Sequence, residues 1–171
     1  MRSDSISDKK RCWGDGDSLS ENYHDNEWGK PLKNDDEFFE RLTLEMFQAG
    51  LSWRTILVKR EAFRKAFQKF QVEKVAKFGK EDIKRLISDS SIIRNKLKIE
   101  SAIHNAKVFT QIKKDHGSFG KWLSQIDATD KNVHKIFKQN FKFMGPEIVR
   151  MFLMSVGKIP SHEKYCWRYG K

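Results

Sequence analysis

Residues 44–53 (LEMFQAGLSW) bring together an acid, a bare turn and an aromatic side chain. Glu45 follows Phe38 by two helical turns, so its carboxyl group is predicted to lie close to the apolar stripe of that helix. Gly50 is predicted to end the helix and to leave Leu51 at the tip of a turn. The combination offers a hydrogen-bond acceptor, a wedge and, in Trp53, a stacking surface. The plainer alternative is a solvated acid, an ordinary turn and a core tryptophan.

Four residues near the two ends of the chain are of the types that bind zinc: Cys12, His24, His162 and Cys166. His162 and Cys166 are four residues apart, which places both side chains on one face of a helical turn. Cys12 and His24 could complete a tetrahedral Cys2His2 site, and a closed site of this kind is structural. The alternative is two buried free cysteines and two surface histidines, and the spacing leaves both open.

The charge balance favours a polyanionic partner. Lys and Arg total 34 against 23 Asp and Glu, a formal net charge of +11, although a basic chain can also be merely soluble. Residues 1–10 lack the apolar segment of a signal peptide, and no run approaches 18 apolar residues. We expect a soluble cytoplasmic protein with no membrane partner, in which the two cysteines form no lasting disulfide.

The elements that must position these residues are all predicted to be helices. A helix capped near residues 34–36 carries Glu45, and Ser52 is the predicted N-cap of the next. Further helical segments are predicted at residues 72–78, 80–88, 94–114 and 122–126. The segment 94–114 is the longest and is predicted to be stopped by Gly117, and the segment 122–126 is short. Residues 11–29 are predicted to be irregular, with Trp13, Tyr23 and Trp28 held in loops. We expect a flexible tail at residues 1–10 and, over 11–171, a single all-α domain of two packed lobes.

Residues 132–156 are predicted to form two helices joined by a tight turn. The first covers 132–139, residues 140–145 form the link, and Pro146 stands at the first position of the second helix. The first amides of that second helix have no partner within it and lie at the positive end of its dipole, so they could hold an anion. Any helical hairpin would share this property.

Several strings together resemble the DNA-3-methyladenine glycosylase I family. They run in order over nearly the whole chain: Arg11-Cys12, YHDNEWG (23–29), Glu45 with FQAGLSW (47–53), IRN (93–95), FKFMG (141–145) and His162-x3-Cys166. The resemblance implies a helix-hairpin-helix glycosylase fold, one structural zinc ion held by Cys12, His24, His162 and Cys166, and excision of N3-methyladenine from alkylated double-stranded DNA. The protein would then act as a monomer, leaving free 3-methyladenine and an abasic site.

The resemblance also implies roles for individual residues. Glu45 and Tyr23 would be catalytic, and the base would be bound by Glu45, Tyr23, Trp28, Gln48 and Trp53. Gly50 and Leu51 would enter the gap in the duplex, and Lys142 and Gly145 in the hairpin would grip its backbone. N3-methylation makes the nucleobase cationic, so aromatic faces and a carboxylate attract it.

The sequence departs from the related glycosylases at several points, and two of them bear on the predicted pocket and reaction. Trp13 follows Cys12 directly, whereas the family usually has this tryptophan two residues after the cysteine, which puts its pocket role in doubt. Many helix-hairpin-helix glycosylases carry a catalytic Asp after the second hairpin helix, and here the region offers only Glu163. A non-catalytic, zinc-stapled helical protein that binds damaged or bent DNA is therefore the second hypothesis. A helical scaffold for protein partners is the third.

Overall fold

The computed structural model describes residues 10–171, and the tail predicted at residues 1–10 falls, except for Lys10, outside them. Over residues 10–171 the chain forms nine α-helices, one short 3-10 turn (Gln68–Phe70) and no strand, so the all-α prediction is confirmed. The helices are α1 (Ser18–Asn26), α2 (Asp35–Gln48), α3 (Trp53–Ala66), α4 (Val72–Val75), α5 (Lys80–Ser88), α6 (Lys96–His116), α7 (Phe119–Ser124), α8 (Val133–Asn140) and α9 (Pro146–Ser155).

Side-chain caps fix where the main helices begin. The Asn34 side chain accepts from the Glu37 amide at the start of α2, Ser52 accepts from the Thr55 amide at the start of α3, and Asn95 caps α6 in the same way. These bonds satisfy amides that have no partner within the helix. Gly117 ends α6 with φ 87°, a left-handed conformation that glycine adopts without strain.

Helix α2 lies at the centre of the molecule. It contacts α3, α4, α6, α7 and α9, and every residue from Phe38 to Phe47 except Glu40 is buried. A helix that is buried all round, rather than along one stripe, belongs to the core. The surrounding core is rich in phenylalanine, with Phe39, Phe63, Phe109 and Phe152 fully buried. Glu45 is therefore carried by the most enclosed helix of the fold.

The prediction of irregular backbone over residues 11–29 is wrong for its second half, where α1 forms. Asp17 caps this helix by accepting from the Ser20 amide, and its buried residues include Tyr23 and His24. The sequence SLSENYHDN has few apolar residues, so tertiary packing of Tyr23 and His24, not periodicity, holds the helix. Trp13 and Trp28 do lie outside helices, as predicted.

The helical hairpin forms close to the predicted positions. Helices α8 and α9 pack together and are joined by residues 141–145, which we call the hairpin link. Pro146 is the first residue of α9, and Gly145 is its N-cap and has no side chain to occupy the amides. Phe143 in the link has φ 61°, which is uncommon for a non-glycine residue. The division into two packed lobes stays a prediction.

A search of residues 10–171 for a helix both long enough and apolar enough to cross a membrane finds none.

Candidate functional site

A cavity of about 300 Å³ opens between the N-terminal segment, α2, α3 and α9. Its volume is at the lower end of the range of ~300–1,000 Å³ that is usual for small-molecule sites. Aromatic and sulfur-containing residues predominate, and two of the residues are acidic. The lining residues are Cys12, Trp13, Trp28, Glu45, Gln48, Trp53, Arg150, Met151, Met154, Ser161 and Glu163.

Glu45 is the buried acid of this cavity. Glu45 is 2% exposed, and its Oε1 has no hydrogen-bond partner among the described residues. Burial raises the pKa of Glu45 from 4.5 to about 8, while the charge of Arg41 and a hydrogen bond with Ser155 act in the opposite direction. An uncompensated carboxylate in such a place is costly, so a cationic ligand would relieve the cost.

Three tryptophans form the aromatic part of the lining. Trp13 and Trp28 meet edge to face with ring centroids 5.4 Å apart, and Trp28 Nε1 donates to the Ser161 carbonyl at 2.9 Å. Trp53, at the start of α3, also lines the cavity, and its buried Nε1 has no acceptor within residues 10–171. Trp13 therefore lies at the cavity, where its position directly after Cys12 had put its role in doubt.

Tyr23 packs behind the cavity and does not line it directly. Its ring centroid lies 5.2 Å from that of Trp53 and 5.9 Å from that of Trp13. The hydroxyl group is buried without a partner in the part of the chain that the structure describes, and burial raises the pKa of Tyr23 far above its usual value. This phenol stays neutral and is able to donate one hydrogen bond.

The turn after α2, residues 49–52, is exposed next to the cavity; we call it the wedge turn. Gln48 lines the cavity, and its carbonyl accepts from the Leu51 amide at 2.6 Å. Gly50 has φ 82°, and Leu51 is 41% exposed. A leucine this exposed beside an aromatic cavity is available to another molecule. Lys142 and Gly145 lie in the hairpin link, outside the cavity lining.

Three of the four predicted metal ligands come together. Candidate ligand atoms of Cys12, His24 and Cys166 all lie within 4.8 Å of one another, and His24 Nε2 is 3.3 Å from Cys12 Sγ and 3.4 Å from Cys166 Sγ. His24 Nδ1 bonds to the Asp25 carboxylate at 2.8 Å, the outer contact that fixes the ring of a metal-binding histidine. The cysteines are not joined by a disulfide. The group could hold a metal ion.

His162 lies beside this group but is not part of it. Its ring centroid is 5.1 Å from that of His24, and its buried Nε2 has no partner among the residues described here. Burial lowers the pKa of His162 to about 4, so the ring is neutral as metal binding requires. Burial raises the pKa of Cys12, and a bound metal would act in the opposite direction by holding the thiolate.

Sequence reasoning missed the wall that α9 and the following loop supply. Met151 and Met154 are three residues apart on one face of α9, and Arg150 lies at the same edge. An apolar pair at helical spacing is the only signal that could have pointed to them, and it is shared by every core helix. Glu163, the one acidic residue that the sequence offers after α9, is also among the residues that line the cavity, and it is exposed.

Comparison with known proteins agrees with the geometry. The family described as Methyladenine glycosylase matches residues 13–138. The DNA-3-methyladenine glycosylase 1 of Escherichia coli is 36% identical over 181 residues, covering 94% of this chain and 97% of that protein. A crystal structure of 3-methyladenine DNA glycosylase I is 32% identical with a TM-score of 0.85, covering 94% of this chain and 100% of that one.

A second solved structure is that of a tyrosine-to-phenylalanine variant of 3-methyladenine DNA glycosylase I in complex with 3-methyladenine. It has a TM-score of 0.83 and 36% identity, and the match covers 91% of this chain and 95% of that one. With the family match over most of its length and a relative of this identity, the chain belongs to the methyladenine glycosylase family.

Proposed function

We propose that this protein is a DNA-3-methyladenine glycosylase, which extrudes N3-methyladenine from alkylated duplex DNA and hydrolyses its N-glycosidic bond. The observation that carries the proposal is Glu45, an acid with a free oxygen buried in a tryptophan-lined cavity. The relatives named above act on, or bind, 3-methyladenine. Here we extend that activity to this chain.

The charge of the damaged base explains the selectivity. N3-methyladenine in DNA is a cation, so it is attracted to the faces of Trp13, Trp28 and Trp53. Inside the cavity the same charge stabilises ionised Glu45, whose pKa burial has raised to about 8. Undamaged adenine is neutral, so it would leave the carboxylate uncompensated. Binding of the lesion is thereby favoured over binding of a normal base.

The reaction needs little from the protein once the base is bound. The bond between C1′ of the sugar and N9 of the base breaks, and its electron pair goes to the base, which leaves neutral. Water adds to C1′ and loses a proton, giving the abasic site. We assign to Glu45 the orientation of the base and stabilisation of its charge. To Tyr23 we assign a hydrogen bond to the bound base, donated by its hydroxyl group, which has no partner among residues 10–171. Gln48 is assigned a hydrogen bond to an edge of the base.

Two surface elements are assigned to the duplex. Leu51 enters the gap that the extruded base leaves, at a cost of a few kcal/mol for unstacking that the damage itself lowers. The amides at the start of α9, behind Gly145, receive a backbone phosphate, and Lys142 adds charge. The excess of 34 basic over 23 acidic residues supports binding to DNA. We further propose that the protein acts as a monomer.

The metal site is assigned one structural zinc ion. Cys12, His24 and Cys166 would supply three ligands, and Nε2 of His162, which has no partner among residues 10–171, would be the fourth. Two sulfur and two nitrogen ligands suit tetrahedral zinc. The ion would connect the segment before α1 to the loop after α9, and it takes no part in the reaction.

The direct test is release of the free base. Duplex DNA treated with a methylating agent is incubated with the protein, and 3-methyladenine is measured in the supernatant by chromatography. The wild-type protein should release it, and Glu45→Gln should lower kcat/KM by about 10- to 100-fold. Glu81→Gln, which removes the same charge from an exposed side chain, should not change it.

Two results would contradict the proposal. Full excision by Glu45→Gln would show that Glu45 does not have the proposed role in the site. Binding to alkylated DNA without any release of base by the wild-type protein would favour the non-catalytic DNA-binding alternative.

A further inference from the structure

Two polar side chains on one face of α6 are buried, and both bond to backbone outside their own helix. Lys98 and Asn105 are seven residues apart, so they lie about 10 Å from each other along the helix axis and on the same side of it. Neither lines the cavity. One bonds to the end of α2, where the wedge turn begins, and the other bonds to the hairpin link.

Lys98 holds the start of the wedge turn. The residue is 6% exposed, and its Nζ donates to the carbonyls of Phe47 and Ala49, each at 3.0 Å. Phe47 is in the last turn of α2 and Ala49 is its C-cap, where the helix itself offers no donors. The Nζ also lies 5.9 Å from the centroid of the Phe143 ring in the hairpin link. Burial lowers the pKa of Lys98, a cost that an apolar residue would avoid.

Asn105 holds the hairpin link. The residue is fully buried, its Oδ1 accepts from the Lys142 amide at 2.8 Å, and its Nδ2 donates to the Lys142 carbonyl at 3.1 Å. Both backbone polar groups of Lys142 are thus bonded to one side chain. The next residue, Phe143, has φ 61°, so the paired bonds hold the link in a conformation that most residues avoid.

We propose that Lys98 and Asn105 are positioning residues that fix the distance between the wedge turn and the hairpin link, so that both engage one duplex together. This inference rests on the proposed function. Extrusion of a base requires the backbone to be held while the gap is filled, and a rigid frame avoids the entropy of aligning two independent elements. Helix α6, with 21 residues, is the longest helix that the structure describes and supplies that frame.

The test compares duplex DNA with substrates that need no wedge. We would measure excision of 3-methyladenine from alkylated duplex, excision from alkylated single strands, and the affinity for the free base. The variants are Lys98→Met and Asn105→Leu, which remove the hydrogen bonds and keep the size, and the double variant. Lys107→Met is the control, since it removes a charge from an exposed position of the same helix.

Each single variant should lower kcat/KM on duplex about tenfold or more, while excision from single strands and base affinity change less than about threefold. The fold-decrease in kcat/KM on duplex DNA should be smaller in the double variant than the product of the two single fold-decreases, because both residues fix the same distance between the wedge turn and the hairpin link. Lys98→Arg, which keeps donors for the two carbonyls, should recover part of the duplex activity.

Equal losses on duplex and single strands would overturn the inference, because they would indicate a general effect on folding or on the cavity. Wild-type activity in both single variants would also overturn it. Its failure is distinguishable from failure of the proposed function, in which the wild-type protein itself would release no base.

Discussion

The guanidinium carbon of Arg41 lies 5.0 Å from the centroid of the Tyr23 ring, inside the protein and behind the cavity. Arg41 is 3% exposed and donates to the Ser155 carbonyl at 2.9 Å. Its charge is the main opposing influence on the pKa of Glu45, which burial raises. A buried cation packed against this aromatic ring thus partly compensates the acid before any ligand arrives.

Replacing Arg41 should therefore change the pH dependence of excision. The pKa of Glu45 is about 8 with the arginine present, and Arg41→Met should raise it further. Because kcat/KM reports ionisation of the free enzyme, its rising limb should move to higher pH by the same amount. Arg54→Met, which removes an exposed arginine paired with Asp17, is the control. If the rising limb of kcat/KM stays at the same pH in Arg41→Met, Arg41 does not act on the pKa of Glu45.

The same acid should make the protein less stable as the pH rises. The folded pKa of Glu45, about 8, is above its ordinary value of 4.5, so the folded state binds the extra proton between these values. The free energy of unfolding should fall by about 1.4 kcal/mol for each pH unit in this window. Glu45→Gln should lack this loss and be the more stable protein at pH 8. Urea unfolding at pH 5 and pH 8 measures the free energy of unfolding, and Glu81→Gln is the exposed control. The same change of this free energy with pH in the wild-type protein and in Glu45→Gln would refute the prediction.

Truncation of the wedge should affect extrusion but not folding. Leu51 is 41% exposed, so Leu51→Ala should leave the melting temperature nearly unchanged. It should lower kcat/KM on alkylated duplex by about tenfold and leave the affinity for free 3-methyladenine unaltered. Val58→Ala, an exposed apolar truncation on α3, should have no effect on either. Duplex activity equal to wild type in Leu51→Ala would exclude the wedge role.

Purified protein should contain about one zinc ion per chain. Cys166→Ser and His162→Ala should each lose the metal and lower the melting temperature, because the ion binds the folded state only. A strong chelator should lower the melting temperature of the wild-type protein to that of Cys166→Ser and leave that variant unchanged. His116→Ala, at the end of α6, should keep its metal. Absence of stoichiometric metal in the wild-type protein would contradict the assignment.

Local patterns predicted most of the helices and the position of Glu45 close to an apolar stripe. Ser52 as an N-cap, Gly117 as a stop and Pro146 as a first helical residue each act within a few residues of themselves, so the sequence shows them. The position of Glu45 two turns after Phe38 likewise follows from helical geometry. The bounds of α6 and α8 differ from prediction by only one or two residues.

What the sequence could not show depends on contacts between distant segments. Helix α1 has weak periodicity and forms because Tyr23 and His24 are buried by other parts of the chain. The positions of Met151 and Met154 at the cavity, and of Arg41 behind it, require knowledge of how α9 and α2 pack. Local pattern contains none of that information.

The hydrogen bond from Trp28 to the Ser161 carbonyl joins residues separated by 133 positions. Residues 137–163 supply one side of the cavity and also part of the core, where Phe141 packs on Phe109 and Phe152 packs on Phe119. During synthesis the earlier segments emerge first. Neither the core nor the cavity is complete until residues 137–163 have emerged, so folding of the chain and formation of the site depend on the same segment.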